Sequence, residues 1–243
     1  MTTNLYLAMT AAEICSAVFL PSRLAWMACH FSPYSTGLSN LPEELPEGSV
    51  LMLNDITPIR GHDPNTVREQ LFYALERHRC DALVLDFQRH PSEDTQTVVK
   101  YLTQAPPCPV AVSAPFAEGI PCPVLLPPCP AHVSLAEHIA PWIGRDIWLE
   151  LSRGMETIEI TSSGASVSSQ LFSVREEAGF SEETLRCHYR CEADPGQIRF
   201  SLWRTDGDVR SLCMDGASMG IKGFLGLYQE LGEISDKNEN RSA

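Results

Sequence analysis

Positive charge is scarce in this chain. Of 243 residues, 18 are Lys or Arg against 31 Asp or Glu, a formal net charge of −13. A surface this acidic repels a phosphate backbone, so nucleic acid is not an expected partner. Long apolar runs are also missing. No stretch reaches the roughly 20 residues a helix needs to cross a bilayer, so no membrane span is expected. The N-terminus, MTTNLYLAMTAAEIC, has no basic start, and Glu13 interrupts its apolar run, which does not suit a secretory leader. The nine cysteines are odd in number and scattered, so a disulfide framework is not expected and a reducing cytoplasm is. No GxSxG elbow, P-loop or GxGxxG occurs, and no cofactor is expected. No cysteine has a histidine–acid pairing at a recognisable spacing.

One cluster invites a metal reading: CHYRC, with Cys187, His188 and Cys191. It supplies one cysteine pair where zinc sites show two, and it lies in a strand-like run. Alternation puts Cys187, Tyr189 and Cys191 on one face and His188 on the other, so no metal is expected. The Pro-Cys-Pro cysteines, Cys108, Cys122 and Cys129, read as small buried hydrophobes.

What remains is an ordinary globular composition, 44% apolar and 20% charged. Short apolar strands alternate with helical patterns, the mark of a parallel α/β fold. NLYLAMT, SVLMLNDITP, DALVLDFQ, PCPVAVSAPF, PCPVLLPP, DIWLELS and GFLGLYQ read as strands, and SAVFLP and LAWMACHF are strand-like. NTVREQLFYALERHR reads as a helix, with Val67, Leu71, Ala74 and Leu75 at helical spacing and Asn65 as N-cap. TQTVVKYLTQ is a short helix, SLAEHIAPWI a broken one, and DVRSLCMDGASMG a helix ended by Gly220. Between about 155 and 203 the pattern becomes antiparallel, with turns at SSG and DPG.

This order predicts a (β/α)8 TIM-type barrel, at the short end of the size range and with room for irregularity. A small β-rich insertion interrupts its C-terminal third, and a doubly wound sheet is the rival. One domain spans 1–233, and 234–243 reads as a flexible polar tail. In either fold, chemistry sits at the C-terminal ends of strands. The polar residues there are Asn54, Asp55, Asp86, Gln88, Ser113, Glu150, Ser152, Gln229 and Glu230, with Tyr228 beside the last two. Asn54 and Asp55 also suit a plain turn cap, and Glu150, Ser152 and Arg153 a surface ion pair.

DALVLDFQ resembles the DGxDxDxE signature of glycoside hydrolase family 18, the chitinase family, found at the end of the fourth barrel strand. Asp81 and Asp86 match the first and last aspartates, Ala82 replaces the glycine and Val84 the middle aspartate. Gln88 stands where the family has its catalytic glutamate. The C-terminal stretch GFLGLYQELGE is similar to the family's last strand, nearest to spore-type members, with Gln229 at the position of a tryptophan. The β-rich segment resembles the family's inserted domain.

The resemblance implies a site in which the aspartate orients the substrate's acetamide while the glutamate protonates the leaving oxygen. A glutamine has no such proton, so general acid catalysis is lost at that position. Val84 removes a second charge, and Gln229 removes an aromatic floor. Asp86 and Gln88 can still form hydrogen bonds. The expectation is a catalytically inactive family 18-like barrel that binds a carbohydrate or other polar ligand, or serves as an interaction scaffold. One alternative is an active hydrolase with a relocated acid, at Asp55, Glu150 or Glu230. Another is an unrelated barrel. A spore or cell-surface association stays open beside the cytoplasmic one, and the oligomeric state is unspecified.

Overall fold

The computed structural model describes residues 4–17, 20–27, 45–54, 63–87, 94–170 and 179–231. Seven strands follow one another round a ring: β1 (Leu5–Thr10), β2 (Leu24–Met27), β3 (Val50–Leu53), β4 (Ala82–Leu85), β5 (Val110–Ser113), β6 (Val124–Leu126) and β7 (Ile147–Leu151). An antiparallel sheet then interrupts the ring: β8 (Met155–Thr161), β9 (Gly164–Gln170), β10 (Phe180–Glu182), β11 (Cys187–Asp194) and β12 (Gln197–Trp203). Finally β13 (Gly223–Leu227) inserts between β7 and β1 and closes a parallel barrel of eight strands. The expected architecture, barrel plus β-rich insertion, is the one observed. Carried once round the ring, the parallel registers stagger by about eight residues, the shear that tilts strands in barrels of this class.

The strands are apolar on both faces because both are covered. One set of side chains, among them Ala8, Val50, Val84, Ala111, Leu125 and Leu225, fills the barrel. The alternate set, including Leu7, Leu51, Leu83 and Leu149, packs outward against the helices. Low in the barrel Trp148 stacks on Tyr6, with ring centroids 5.5 Å apart. That ring fits because residue 223 is glycine: a Cβ there would fall 2.7 Å from Trp148 Cε3.

The helices are α1 (Ala11–Ser16), α2 (Pro64–Arg77), α3 (Thr95–Leu102), α4 (Leu135–Ile139) and α5 (Asp206–Ser218). α1, α4 and α5 each start on a capping box, Thr10–Glu13, Ser134–Glu137 and Thr205–Asp208. α2 begins earlier than expected. Asp63, not Asn65, is its N-cap, because Pro64 suits the first helical position and the Asp63 carboxylate takes the Thr66 N–H at 2.9 Å. SAVFLP is no strand where it is described, at residues 16–17 and 20–21. The strand of GFLGLYQ stops at Leu227, and residues 228–231 turn helical. The β5–β6 connection holds only a 3-10 turn, Ala114–Phe116. The reduced helix leaves a groove of about 540 Å³ between the end of α3 and the Pro-rich entry to β6.

The insertion forms one five-stranded sheet, in the order β10-β11-β12-β8-β9. Its β11–β12 turn has Gly196 at φ +86°, a position reserved for glycine in a Pro-Gly turn. Arg204 ties sheet to barrel. It is 6% exposed, and its guanidinium donates to the carbonyls of Cys129 and Pro130 after β6, and of Leu185 and Arg186 before β11. Cys187, Leu202 and Ala131 form a small apolar core beside it. His188 points the other way from Cys187, as alternation requires, and its Nδ1 lies 2.9 Å from Asp208 Oδ2.

Candidate functional site

β4 enters the barrel as Ala82 and Val84 on its inner face, and period 2 makes Asp86 the next inner residue. The ladder continues far enough to fix it: Asp86 N–H donates to the Leu53 carbonyl at 2.8 Å. Leu85 is level with Leu53 on one side and Val112 on the other. Asn54, Asp86 and Ser113 therefore stand level at the ends of three adjacent strands. Asp86 and Ser113 are fully buried. The Ser113 hydroxyl has no hydrogen-bond partner among the described residues. On β7, Glu150 follows the interior Trp148 by two residues and is 7% exposed.

Asn54, Asp86, Glu150, Ser152 and Glu230 line one cavity at the C-terminal mouth, with Met27, Met52, Leu227 and Pro128 as its apolar wall. Its volume is about 40 Å³, close to the roughly 30 Å³ share of one water molecule. It admits a hydroxyl or a water. Carboxylates and an amide at its edge accept hydrogen bonds from hydroxyl or N–H groups, and Asn54 can donate as well. The wider groove beside α3 lies at the other end of the strands. Its only charged lining residue is Lys100, and four prolines dominate its wall, so the mouth is the better candidate for chemistry.

The other expected residues divide. Glu230 sits on the rim and accepts from Ser152 Oγ at 2.9 Å and from the backbone N–H of Arg153. Gly154 N–H then donates to Ser152 Oγ at 2.9 Å, and Arg153 pairs with Asp206 at 2.7 Å. This carboxylate anchors the start of the insertion as well as lining the cavity. Gln229 is exposed and does not line it. Its amide donates to Glu13 Oε1 at 2.7 Å. Burial pushes the Glu13 carboxyl up, but hydrogen bonds from Thr10 and Gln229 outweigh it and hold the group below its usual range. Tyr228 packs half-buried on the outer core. Asp81 is exposed at the opposite end of β4, about 16 Å from Asp86 at strand rise. Asp55 and Gln88 lie outside the described residues.

Ser152, expected at a strand end, also lines the cavity, and Met27, Met52 and Pro128 are among its apolar lining residues that the sequence did not single out. Period 2 from Glu150 reaches Ser152, and the register brings in Met27 and Met52. Pro128 is in a loop and carries no periodic signal. Among the described residues, no cluster of three or more His, Cys, Asp or Glu is placed to hold a metal.

No family model matches the sequence, and no curated protein matches it. Solved structures do. The spore cortex-lytic enzyme SleL of Bacillus cereus aligns at TM-score 0.50 and 11% identity, over 92% of this chain and 70% of that one. A glycoside hydrolase family 18 N-acetylglucosaminidase of Paenibacillus barengoltzii aligns at TM-score 0.58 and 9% identity, over 96% and 99%. A doubly substituted family 18 chitinase of Cycas revoluta, held with (GlcNAc)4, aligns at TM-score 0.52 and 10% identity, over 96% and 97%. At such identities the likeness is one of architecture: the chain is built on the barrel fold that these glycoside hydrolases share.

Proposed function

We propose that this chain is a family 18-like barrel that holds a carbohydrate at its C-terminal mouth without the family's own acid. The observation that carries the reading is Asp86, buried and aimed into the mouth from the end of β4. It occupies the signature's last aspartate position, while the glutamate position is Gln88 in the sequence. In this reading the sugar sits at the mouth and presents a hydroxyl or acetamide group to Asp86 and Asn54, which line the cavity. The Cycas revoluta chitinase is described with a glutamate-to-glutamine change and with (GlcNAc)4 bound, so a glutamine in such a barrel is compatible with a bound oligosaccharide.

A second reading rests on Glu150. Its carboxylate lines the same small cavity as Asp86, so a hydrolase with its acid on β7 is the alternative. One time course separates the two. The purified chain is mixed with N-acetylglucosamine oligomers and followed by NMR for line broadening and for new reducing ends. Broadening without products supports the binding protein. Products that vanish in Glu150→Gln support the relocated acid. Neither signal removes the sugar from the account and leaves the fold. A cytoplasmic site of action and the single-domain extent 1–233 belong to the same proposal, the first to be checked by fractionation and the second by limited proteolysis.

A further inference from the structure

We propose that β9 is a docking edge for a second copy of this chain, paired antiparallel about a two-fold axis at Val167. β9, GASVSSQ, is the outermost strand of the inserted sheet and is exposed along its whole length. Its inner edge pairs with β8 in seven consecutive positions, from Met155–Gln170 to Thr161–Gly164, with no bulge. Its outer edge meets no strand among the described residues, so it offers a straight row of N–H and C=O groups. Natural sheets blunt such edges with lysine, proline, a bulge or a very short strand. β9 has none of these, in a chain that is 20% charged. The opposite edge is protected: β10 is three residues long and ends on Glu182.

The second observation is the face that β9 extends. Registers place Val167, Ile158, Phe200 and Cys191 in one row, and Ala165, Ile160, Ile198 and Ala193 in the next. Val167 is 53% exposed, and Ile160 and Ile198 are 41% exposed. No charge falls in either row. The reverse face carries Glu159, Arg199, Arg190 and Glu192. Among the described residues, Ala131 covers the end of the apolar face next to the barrel, where Ile158 and Phe200 are partly buried.

The geometry points to a copy of the chain as the occupant. Val167 is the central residue of the seven, so two antiparallel β9 strands related by a two-fold place Val167 against its counterpart and Ala165 against Ser169. The row through Val167 then runs on into the partner's own Val167, Ile158 and Phe200, making one ten-stranded sheet, while the Ala165 row meets Ser169. Such self-complementarity is what a two-fold contact requires. Each copy carries a net charge of −13, but the contact strip itself is neutral, so two copies bring no like charges together there.

The test is sedimentation velocity on the full chain at about 1 to 200 μM, the range in which small interfaces associate. The expected result is a shift from the 26.9 kDa chain towards twice that mass at the upper end. Val167→Lys sets like charges opposite each other and should raise the dissociation constant about tenfold or more, with the circular dichroism spectrum unchanged. Val167→Cys keeps the strand intact. With oxidised glutathione it should yield a disulfide-linked dimer, because directly opposed residues fall within disulfide reach. A chain that stays monomeric throughout overturns the self-pairing and hands the edge to an extended segment of some other protein. A dimer indifferent to Val167→Lys, with no Val167→Cys crosslink, overturns it as well.

Discussion

Replacing Arg204 with methionine should loosen the inserted sheet from the barrel. The methionine keeps most of the apolar stem and removes the guanidinium. Four hydrogen bonds go with it, to the carbonyls of Cys129, Pro130, Leu185 and Arg186, the shortest 2.6 Å. Each bond from a charged donor contributes about 1.5–3 kcal/mol, an upper bound of about 12 kcal/mol for the set of four. The folded protein also no longer buries a cation, which offsets several kcal/mol of that sum. A net loss of about 3–5 kcal/mol follows, because buried carbonyls are left without a donor at about 1–3 kcal/mol each. With a urea slope of about 2–3 kcal/mol/M, the midpoint should fall by roughly 1–2 M.

The loss should also be uneven. Trp203 ends β12 in the insertion, while Trp26 and Trp148 sit in the barrel strands and Trp142 in the β6–β7 connection. With Trp203 as the sole tryptophan, the others replaced by Phe, fluorescence should therefore lead far-UV circular dichroism in the variant and coincide with it in the parent. Arg204→Lys should recover only part of the loss, because one ammonium cannot span carbonyls on two loops. A midpoint shift below about 0.3 M would refute the claim that these four bonds fasten the sheet.

Gly223→Ala forces a methyl group to 2.7 Å from the Trp148 ring, which Tyr6 backs from one side; a cost of about 1–3 kcal/mol by urea melts is expected, and a neutral result means the ring is free to move. Acid should weaken the fold in part through His138. Burial holds its imidazole below the usual value, with Arg204 adding to the effect and the Pro127 carbonyl opposing it. The unfolded chain takes a proton near pH 6.5 while the folded one does not, so this contribution is intact above about pH 6.5 and declines as the pH falls. His138→Gln keeps a donor for Pro127 and should flatten the change in urea midpoint between about pH 7.5 and 5.5; an unchanged slope rules His138 out as a contributor. Gln88→Glu, which restores a carboxylic acid to the signature position, should confer slow release of reducing ends from N-acetylglucosamine oligomers. If it binds them and releases nothing, the proposal that Gln88 alone withholds hydrolysis is refuted.

The sequence by itself carried the architecture. Short apolar runs, most of them separated by helical spacing, bury both faces in a covered parallel sheet, and the change to period 2 after Met155 marked the insertion. Alternation also placed Asp86 in the mouth and His188 away from Cys187, because strand geometry reaches two residues ahead without any tertiary contact. What needed the fold was every relation across the ring. Register alone sets Asn54, Asp86 and Ser113 level, and barrel closure alone brings Glu150 and Glu230 to Asp86 from strands 64 or more residues away. Gln229 looked equivalent to the mouth residues in one dimension. A helical turn sends it to Glu13 instead. A single chain states which way a side chain points along its own strand. Only closure decides which other side chains it meets.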